Sequence, residues 1–149
     1  MPLYQQLWHA DHPNICFIGI PHSVDPFPLF ELQSEAVWEQ LNHFSLPKLP
    51  DRLELAQKDA TSGGPNNGRI VDTHFLGSAQ WDYSREMAKL AGIYNDTIEQ
   101  YISTNKEIYD HAGTARKSLF PGGPDTYREI KYTREESSWK VDDEQKVCS

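Results

Sequence analysis

The chain has 149 residues, enough for one domain with its own core, and carries a formal net charge of −8 at pH 7. This charge argues against a nucleic-acid or anionic-membrane surface, because both partners are polyanions. The sequence has no long apolar run and no basic-then-apolar leader after Met1, so we expect a soluble, cytoplasmic protein and leave membrane association of a longer form open. The cysteines, Cys16 and Cys148, are not expected to form a disulfide.

The most informative segment runs from Ile15 to Gln40 and predicts a strand, an elbow and a helix in succession. Ile15–Ile20 is an apolar run bounded by prolines, which is typical of a strand buried on both faces. The elbow is His22–Asp25, and Pro26 and Pro28 restrict φ at the start of the helix. The free N–H groups of a first helical turn can bind a phosphate or a developing negative charge. The unit is therefore a candidate for cofactor contact, and the alternative is an ordinary buried strand followed by an amphipathic helix.

Further helices are expected after the elbow helix, which should end near Asn42 to complete a unit over residues 15–42. The predicted ranges are Asp51 to about Ala60, about Ala79 to Ala91 with a stop at Gly92, and Asn95 or Asp96 to about Asp110. The composition of Thr61–Gly68 predicts a loop. We predict that residues 1–113 form one folded segment and that 114–149 form a polar tail, loosely packed or partly disordered. The fold class is a mainly helical α/β fragment with one or few short buried strands.

Other patterns give little support for a chemical site. His9 and His12 have HxxH spacing, but a metal site needs a third ligand and a rigid scaffold, so no metal is predicted. Gly63–Gly68 before Arg69-Ile70 resembles a phosphate loop only loosely, because that loop needs Lys and then Ser or Thr at the last two places. The glycines form no G-x-G-x-x-G turn, and no Ser or Cys lies in a G-x-S-x-G elbow, so the catalytic residues are unknown.

Three segments of the sequence resemble the C-terminal part of flavin-containing monooxygenases. They are Pro2-Leu3-Tyr4, Phe17-Ile18-Gly19-Ile20-Pro21 and Pro26-Phe27-Pro28-Leu29-Phe30-Glu31-Leu32-Gln33, with Trp38 after the last. A weaker similarity covers His74-Phe75-Leu76-Gly77, Gln80, Tyr83 and Leu90-Ala91-Gly92, so the resemblance extends over about Pro2–Gly92. One departure is Gln6, where the family often carries a histidine two residues after the tyrosine.

This resemblance implies the C-terminal part of a fold with two dinucleotide-binding domains. Members of the family use FAD, NADPH and O₂ to oxygenate soft nitrogen or sulfur nucleophiles. Carried over to this sequence, the residues that would line the flavin side of the active site are Pro21, His22, Ser23, Pro26, Phe27 and Pro28. Glu31 and Gln33 would help to fix the helix and its neighbours.

Because both glycine-rich turns are missing, we expect the chain to supply one wall of a flavin pocket and to be inactive alone. FAD and NADPH would not bind tightly to it by itself, and the missing N-terminal part of the enzyme would be its partner. Two alternatives stay open: a non-catalytic interaction module, and half of a split enzyme that docks on a partner chain.

Overall fold

The computed structural model describes residues 2–43, 46–61, 74–118, 128, 130–135 and 138–142. The chain divides into two compact units, Met1–Tyr94 and Asn95–Ser149. The described residues are mainly helical with short strands, which confirms the predicted fold class in its coarse form. The glycine-rich loop, its loose likeness to a phosphate loop, Cys148 and much of the predicted polar tail lie outside the described residues.

The first unit begins with a short antiparallel hairpin. Strands β1 (Leu3–Tyr4) and β2 (Trp8–His9) pair with Tyr4 opposite Trp8. The turn between them places Gln5 and Gln6 at φ 53° and 55°, in the left-handed region. Tight β-hairpin turns of type I′ need a positive φ at both central residues. The apolar side chains of this region are buried: Leu3, Tyr4, Leu7, Trp8 and Ala10. The aromatic start of the chain is thus part of the core of the first unit.

The predicted buried strand over Ile15–Ile20 is wrong. The segment is irregular and pairs with the hairpin through an isolated bridge between Trp8 and Cys16. Ile15 is 43% exposed and Ile18 is 47% exposed, so the run is not covered on both faces. At Gly19 the chain turns with φ +85°, a conformation that suits glycine and ends any extended run. The apolar residues of this segment therefore pack against the hairpin on one side only. They do not form the centre of a sheet.

Helix α1 spans Pro26–His43 and is longer than the other α-helices described in the first unit. It begins at Pro26 because proline fits the first helical turn, where the N–H group would have no partner within the helix. Its end lies one residue beyond the predicted Asn42. The face that it buries carries Leu29, Leu32, Gln33, Ala36 and Gln40. Two of these buried residues are glutamines, so the buried face of α1 contains polar side chains as well as apolar ones.

Helices α2 and α3 complete the described part of this unit. Helix α2 spans Leu49–Thr61 and starts two residues before the predicted Asp51. Helix α3 spans Gln80–Leu90 after a single 3-10 turn at Gly77–Ala79, close to the predicted range. Its last residue, Leu90, lies two residues before Gly92, the predicted stop, whose φ is +69°. The core between α1 and α3 includes, from α3, Trp81, Met87 and Ala88, all less than a tenth exposed.

The second unit is built on helix α4, Asp96–Ser118. The Asn95 side chain caps it, since Oδ1 accepts a hydrogen bond from the Ile98 N–H at 3.0 Å, which confirms the predicted start. The helix continues beyond Asp110 and through Gly113, where the sequence analysis placed a boundary. A glycine inside a helix costs about 1 kcal/mol relative to alanine, which a helix of this length tolerates.

Two short strands of the predicted tail pack on α4. Strands β3 (Tyr132–Arg134) and β4 (Trp139–Val141) pair antiparallel, and the Trp139 indole N–H donates to Glu107 Oε2 at 2.8 Å. The Arg134 guanidinium lies 4.5 Å from the centre of the Tyr101 ring. These residues of the tail are thus an ordered hairpin with its own contacts. In the part of the chain that the structure describes, no helix has the length and apolar character needed to cross a membrane.

Candidate functional site

The elbow before α1 is attached to the segment that precedes α3. The backbone N–H of His22 donates to the carbonyl of His74 at 3.0 Å, and the N–H of Leu76 donates to the carbonyl of His22 at 3.2 Å. These two bonds form a parallel bridge between His22 and Phe75, whose rings meet edge to face with centroids 5.5 Å apart. The first residue of the elbow therefore has a fixed backbone position.

Two buried glutamine side chains accept hydrogen bonds from the backbone at Gly19, shortly before the elbow, and at Asp25, its last residue. Gln33 on α1 is fully buried, and its Oε1 accepts a hydrogen bond from the Gly19 N–H at 2.9 Å. Gln80 on α3 is 2% exposed, and its Oε1 accepts from the Asp25 N–H at 2.6 Å. A backbone N–H left without an acceptor in a buried place costs free energy comparable to a lost hydrogen bond. The two amides, which we call the glutamine clamp, therefore define the path of residues 19–25.

The first half of the clamp extends further into the unit. Gln33 Nε2 donates to the Tyr83 hydroxyl at 2.9 Å, and that hydroxyl donates to the carbonyl of Gln5 at 2.8 Å. A continuous chain of hydrogen bonds thus runs from Gly19 through α1 and α3 to the turn of the hairpin. Hydrogen bonds in such a chain polarise one another, so we expect the segment around Gly19 and the hairpin to be energetically coupled.

A second contact joins the hairpin turn to the segment before α3 that is hydrogen-bonded to the elbow. His74 Nδ1 lies 2.5 Å from Gln6 Oε1, and since the amide oxygen can only accept, the imidazole donates. Burial lowers the pKa of His74 and so favours its neutral form, in which Nδ1 must carry the hydrogen to make this bond. Gln6, the position at which the resembled family often carries a histidine, thus has a structural role here.

The start of α1 has few free backbone donors. Pro26 and Pro28 lack N–H groups, so the first turn offers only part of the usual anion site. Asp25 immediately precedes the helix, and burial raises the pKa of its carboxyl. Ser23 has φ +58°, a left-handed conformation that is uncommon for a residue other than glycine. Phe27 is 82% exposed at the same place. The surface suits a flat, largely apolar group better than a phosphate.

The predicted site residues all lie on the elbow or the first turns of α1, but they differ in exposure. The exposed ones are His22, Ser23, Phe27 and Glu31; Pro26 and Pro28 are half-buried; Pro21 and Gln33 are buried. Pro21 thus contributes to packing, and only the exposed and half-buried residues offer a surface to a ligand.

Sequence reasoning gave no role to several residues that shape this region: Gln6, Asp25, His74, Gln80 and Tyr83. The signal that could have identified part of the clamp is the position of Gln33, which falls in the apolar stripe with Leu29, Leu32 and Ala36. A polar side chain in such a stripe requires a buried partner. Nothing comparable marks Gln80, because it stands at the first position of its helix.

The HxxH pair forms a local turn in this structure. His9 Nδ1 accepts hydrogen bonds from the N–H groups of Asp11 and His12, each at 3.2 Å, so one ring nitrogen already has a structural use. Among the described residues, His, Cys, Asp and Glu side chains form no group of three that could hold a metal ion.

Comparison with known proteins shows similarity to flavin-containing monooxygenases. The chain is 31% identical over 131 residues to the flavin-containing monooxygenase FMO GS-OX-like 4 of Arabidopsis thaliana, which covers 86% of this chain and 27% of that protein. It is 32% identical over 134 residues to FMO GS-OX-like 5 of the same plant, with the same coverage. The chain therefore spans about a quarter of the length of these relatives.

A different protein shows a weaker similarity. The tRNA-dihydrouridine(47) synthase [NAD(P)(+)] of Neurospora crassa is 28% identical over 110 residues, which covers 68% of this chain and 15% of that protein. No protein-family model matches the chain. The similarity at about 31% identity over most of the chain supports the resemblance to the flavin monooxygenase family.

We predict that Gln33→Leu lowers the free energy of unfolding of the first unit by roughly 2–4 kcal/mol, because two buried groups lose a partner. Tyr83→Phe should cost less, roughly 1–2 kcal/mol, since it leaves mainly the Gln33 Nε2 without its acceptor. Chemical denaturation of the two single variants and the double variant measures these values. The double variant should lose less than the sum, and strict additivity would show that the two side chains do not act together.

We also predict that Asp25→Asn stabilises the protein at pH 7. The pKa of Asp25 is higher in the folded than in the unfolded state, so ionisation above the folded pKa opposes folding. The gain should shrink as the pH falls towards the ordinary carboxyl pKa of 3.8, because the folded state then binds the proton and the unfolded state begins to bind it too. Unfolding curves from pH 7 to pH 3.5 measure it, and Glu35→Gln, an exposed change on α1, is the control. A gain that did not vary with pH would contradict the prediction.

Proposed function

We propose that this chain forms the flavin-side wall of a flavin-containing monooxygenase, corresponding to its C-terminal part. The similarity over 86% of the chain supports the family, and the clamped elbow supports the position of the wall. An elbow of fixed conformation with an exposed aromatic side chain can pack against one side of a flat flavin ring. In this proposal His22, Ser23, Pro26, Phe27 and Pro28 contact the flavin. The buried Pro21 packs beneath them, and Glu31 and Gln33 support the helix.

The residues of the elbow fit an isoalloxazine ring better than the rest of FAD. Phe27 is 82% exposed and offers a flat apolar contact, while His22 adds a ring with a polar edge. Pro26 and Pro28 remove N–H groups that a pyrophosphate would need. Bound FAD would supply the redox chemistry of the enzyme and NADPH the reducing equivalents. The part of this chain would be to orient the ring and to exclude water from one side of it.

The same reasoning predicts that the chain alone binds FAD and NADPH poorly and has no activity. The sequence contains no G-x-G-x-x-G turn, which dinucleotide sites of this kind use for the pyrophosphate. The rest of the pocket would come from a partner segment, which we take to be the N-terminal part of the enzyme. Oxygenation of a soft nitrogen or sulfur nucleophile is the activity proposed for the assembled protein.

The outer face of α1 supports contact with further protein. Phe27, Trp38 and Leu41 follow helical spacing, and they are 82%, 64% and 57% exposed. Large apolar side chains gathered on one helix face commonly mark an interface. This face also fits the two alternative functions, a non-catalytic interaction module and half of a split enzyme. A role on tRNA is disfavoured by the net charge of −8, despite the similarity to the dihydrouridine synthase.

A chimera tests the proposal. We would replace the matching quarter of Arabidopsis thaliana FMO GS-OX-like 4 with this chain and measure bound flavin by absorbance and turnover by NADPH oxidation. The chimera should retain flavin, and the isolated 149-residue chain should not. Phe27→Ala in the chimera should weaken flavin binding on the order of tenfold, because an aromatic contact with the ring is lost.

The matched control is Leu55→Ala, which removes an apolar side chain that is 38% exposed on α2 and should leave flavin binding unchanged. A folded chimera without flavin would contradict the family assignment. Tight, stoichiometric flavin in the isolated chain would contradict the claim that it supplies only one wall. Unchanged flavin binding in the Phe27→Ala chimera would refute the role of the elbow while leaving the family intact.

A further inference from the structure

A cavity of about 280 Å³ lies at the other end of α1 from the elbow. Its described walls come from the hairpin and the residues after it, the last turn of α1, and the residues from Leu46 into the first turn of α2. The apolar lining residues are Trp8, Pro13, Leu41 and Leu46, and the polar ones are Asn14, Gln40 and Arg52. From Pro26 to Gln40 the helix rises roughly 20 Å, so this cavity is separate from the proposed flavin wall. Its volume is at the lower end of the range for small-molecule sites, and most of the lining side chains are apolar.

Among the described residues that line the cavity, Arg52 is the one cationic side chain, and it is only 8% exposed. Its Nε–H donates to the carbonyl of Ala10 at 3.0 Å, and Nη1 donates to the carbonyl of Pro47. Both acceptors are neutral backbone groups, and the ion pairs found among the described residues do not include Arg52. A guanidinium has five N–H donors, so three remain for another acceptor. A buried charge of this kind is stabilised by a counter-ion.

We propose that this cavity binds a small monocarboxylate with a short aliphatic or aromatic tail. The carboxylate would pair with the remaining donors of Arg52, and the tail would lie against Trp8 and Leu41. A carboxylate fits better than a phosphate, because a single guanidinium matches one planar, singly charged group. Among the described lining residues, the side-chain amides of Asn14 and Gln40 are the neutral side-chain donors that a phosphate could use besides Arg52, whereas the four apolar side chains favour a hydrocarbon tail.

The alternative reading gives Arg52 a purely structural role. In that reading its two hydrogen bonds tie the Ala10 and Pro47 backbones together, and the cavity has no preference for a charged ligand. The two readings differ in a measurable way, since only a site built for an anion distinguishes a carboxylate from its neutral amide of the same shape.

The experiment is a titration of the full chain with 4-phenylbutyrate and, separately, with 4-phenylbutyramide. Binding is followed by NMR through the indole N–H resonance of Trp8. We expect saturable binding of the carboxylate that is at least roughly tenfold tighter than binding of the amide, as for hydrogen bonds to a charged group. Equal affinities, or no saturation by the carboxylate at millimolar concentrations, would overturn the proposal.

Variants locate the site without relying on Arg52 alone. Arg52→Gln should abolish the difference between acid and amide. Leu41→Ala should weaken both ligands several-fold and keep the difference, while Leu55→Ala on α2, outside the cavity, should change neither. Because Arg52→Gln could fail to fold, the comparison of acid and amide on the unmodified chain decides by itself. Unchanged binding in Leu41→Ala would place the ligand elsewhere and overturn the proposal.

Discussion

The first unit depends on two buried side-chain amides that accept hydrogen bonds from the backbone of an irregular loop. Residues 19–25 belong to no helix and no extended strand, so their N–H groups have no regular partners. Gln33 provides the acceptor at Gly19 and Gln80 provides it at Asp25, and both glutamines are buried. The loop can therefore cross the ends of α1 and α3 without leaving buried donors unpaired, and the two helices pack with the loop in place.

This arrangement also explains what the elbow can do. The positive φ of Ser23 is maintained by the bonds on either side of it, a situation in which a strained backbone persists in folded proteins. The prolines at the start of α1 remove donors and leave Phe27 projecting into solvent. A loop built in this way presents a surface of fixed shape and low charge. That surface is suited to one side of a planar cofactor, and the remaining contacts of such a cofactor would come from other segments.

Much of the first unit could be predicted from the sequence, and the predictions that were wrong have physical causes. Prolines 26 and 28, the apolar stripe from Leu29 and the glycine at 92 gave α1 and the end of α3 correctly, because each is a local signal. Ile15–Ile20 was misread, since a short apolar run does not reveal whether neighbouring strands exist to cover it. Of the four hydrogen bonds made by the side chains of Gln33, Gln80 and His74 in this region, three join residues that are 50 or more apart in sequence, and no local pattern predicts such pairs.

Residue-resolved amide hydrogen exchange of the full chain, measured by NMR, tests the central claim most directly. If the glutamine clamp fixes the elbow, the amides of Gly19 and Asp25 will exchange as slowly as amides inside α1 and α3, although they lie in a loop. The amide of Ser23 in the same loop, on an exposed residue, provides the internal comparison. Exchange of Gly19 and Asp25 at the rate of an unprotected loop would show that the elbow is not held, and the account of the flavin wall would lose its structural basis.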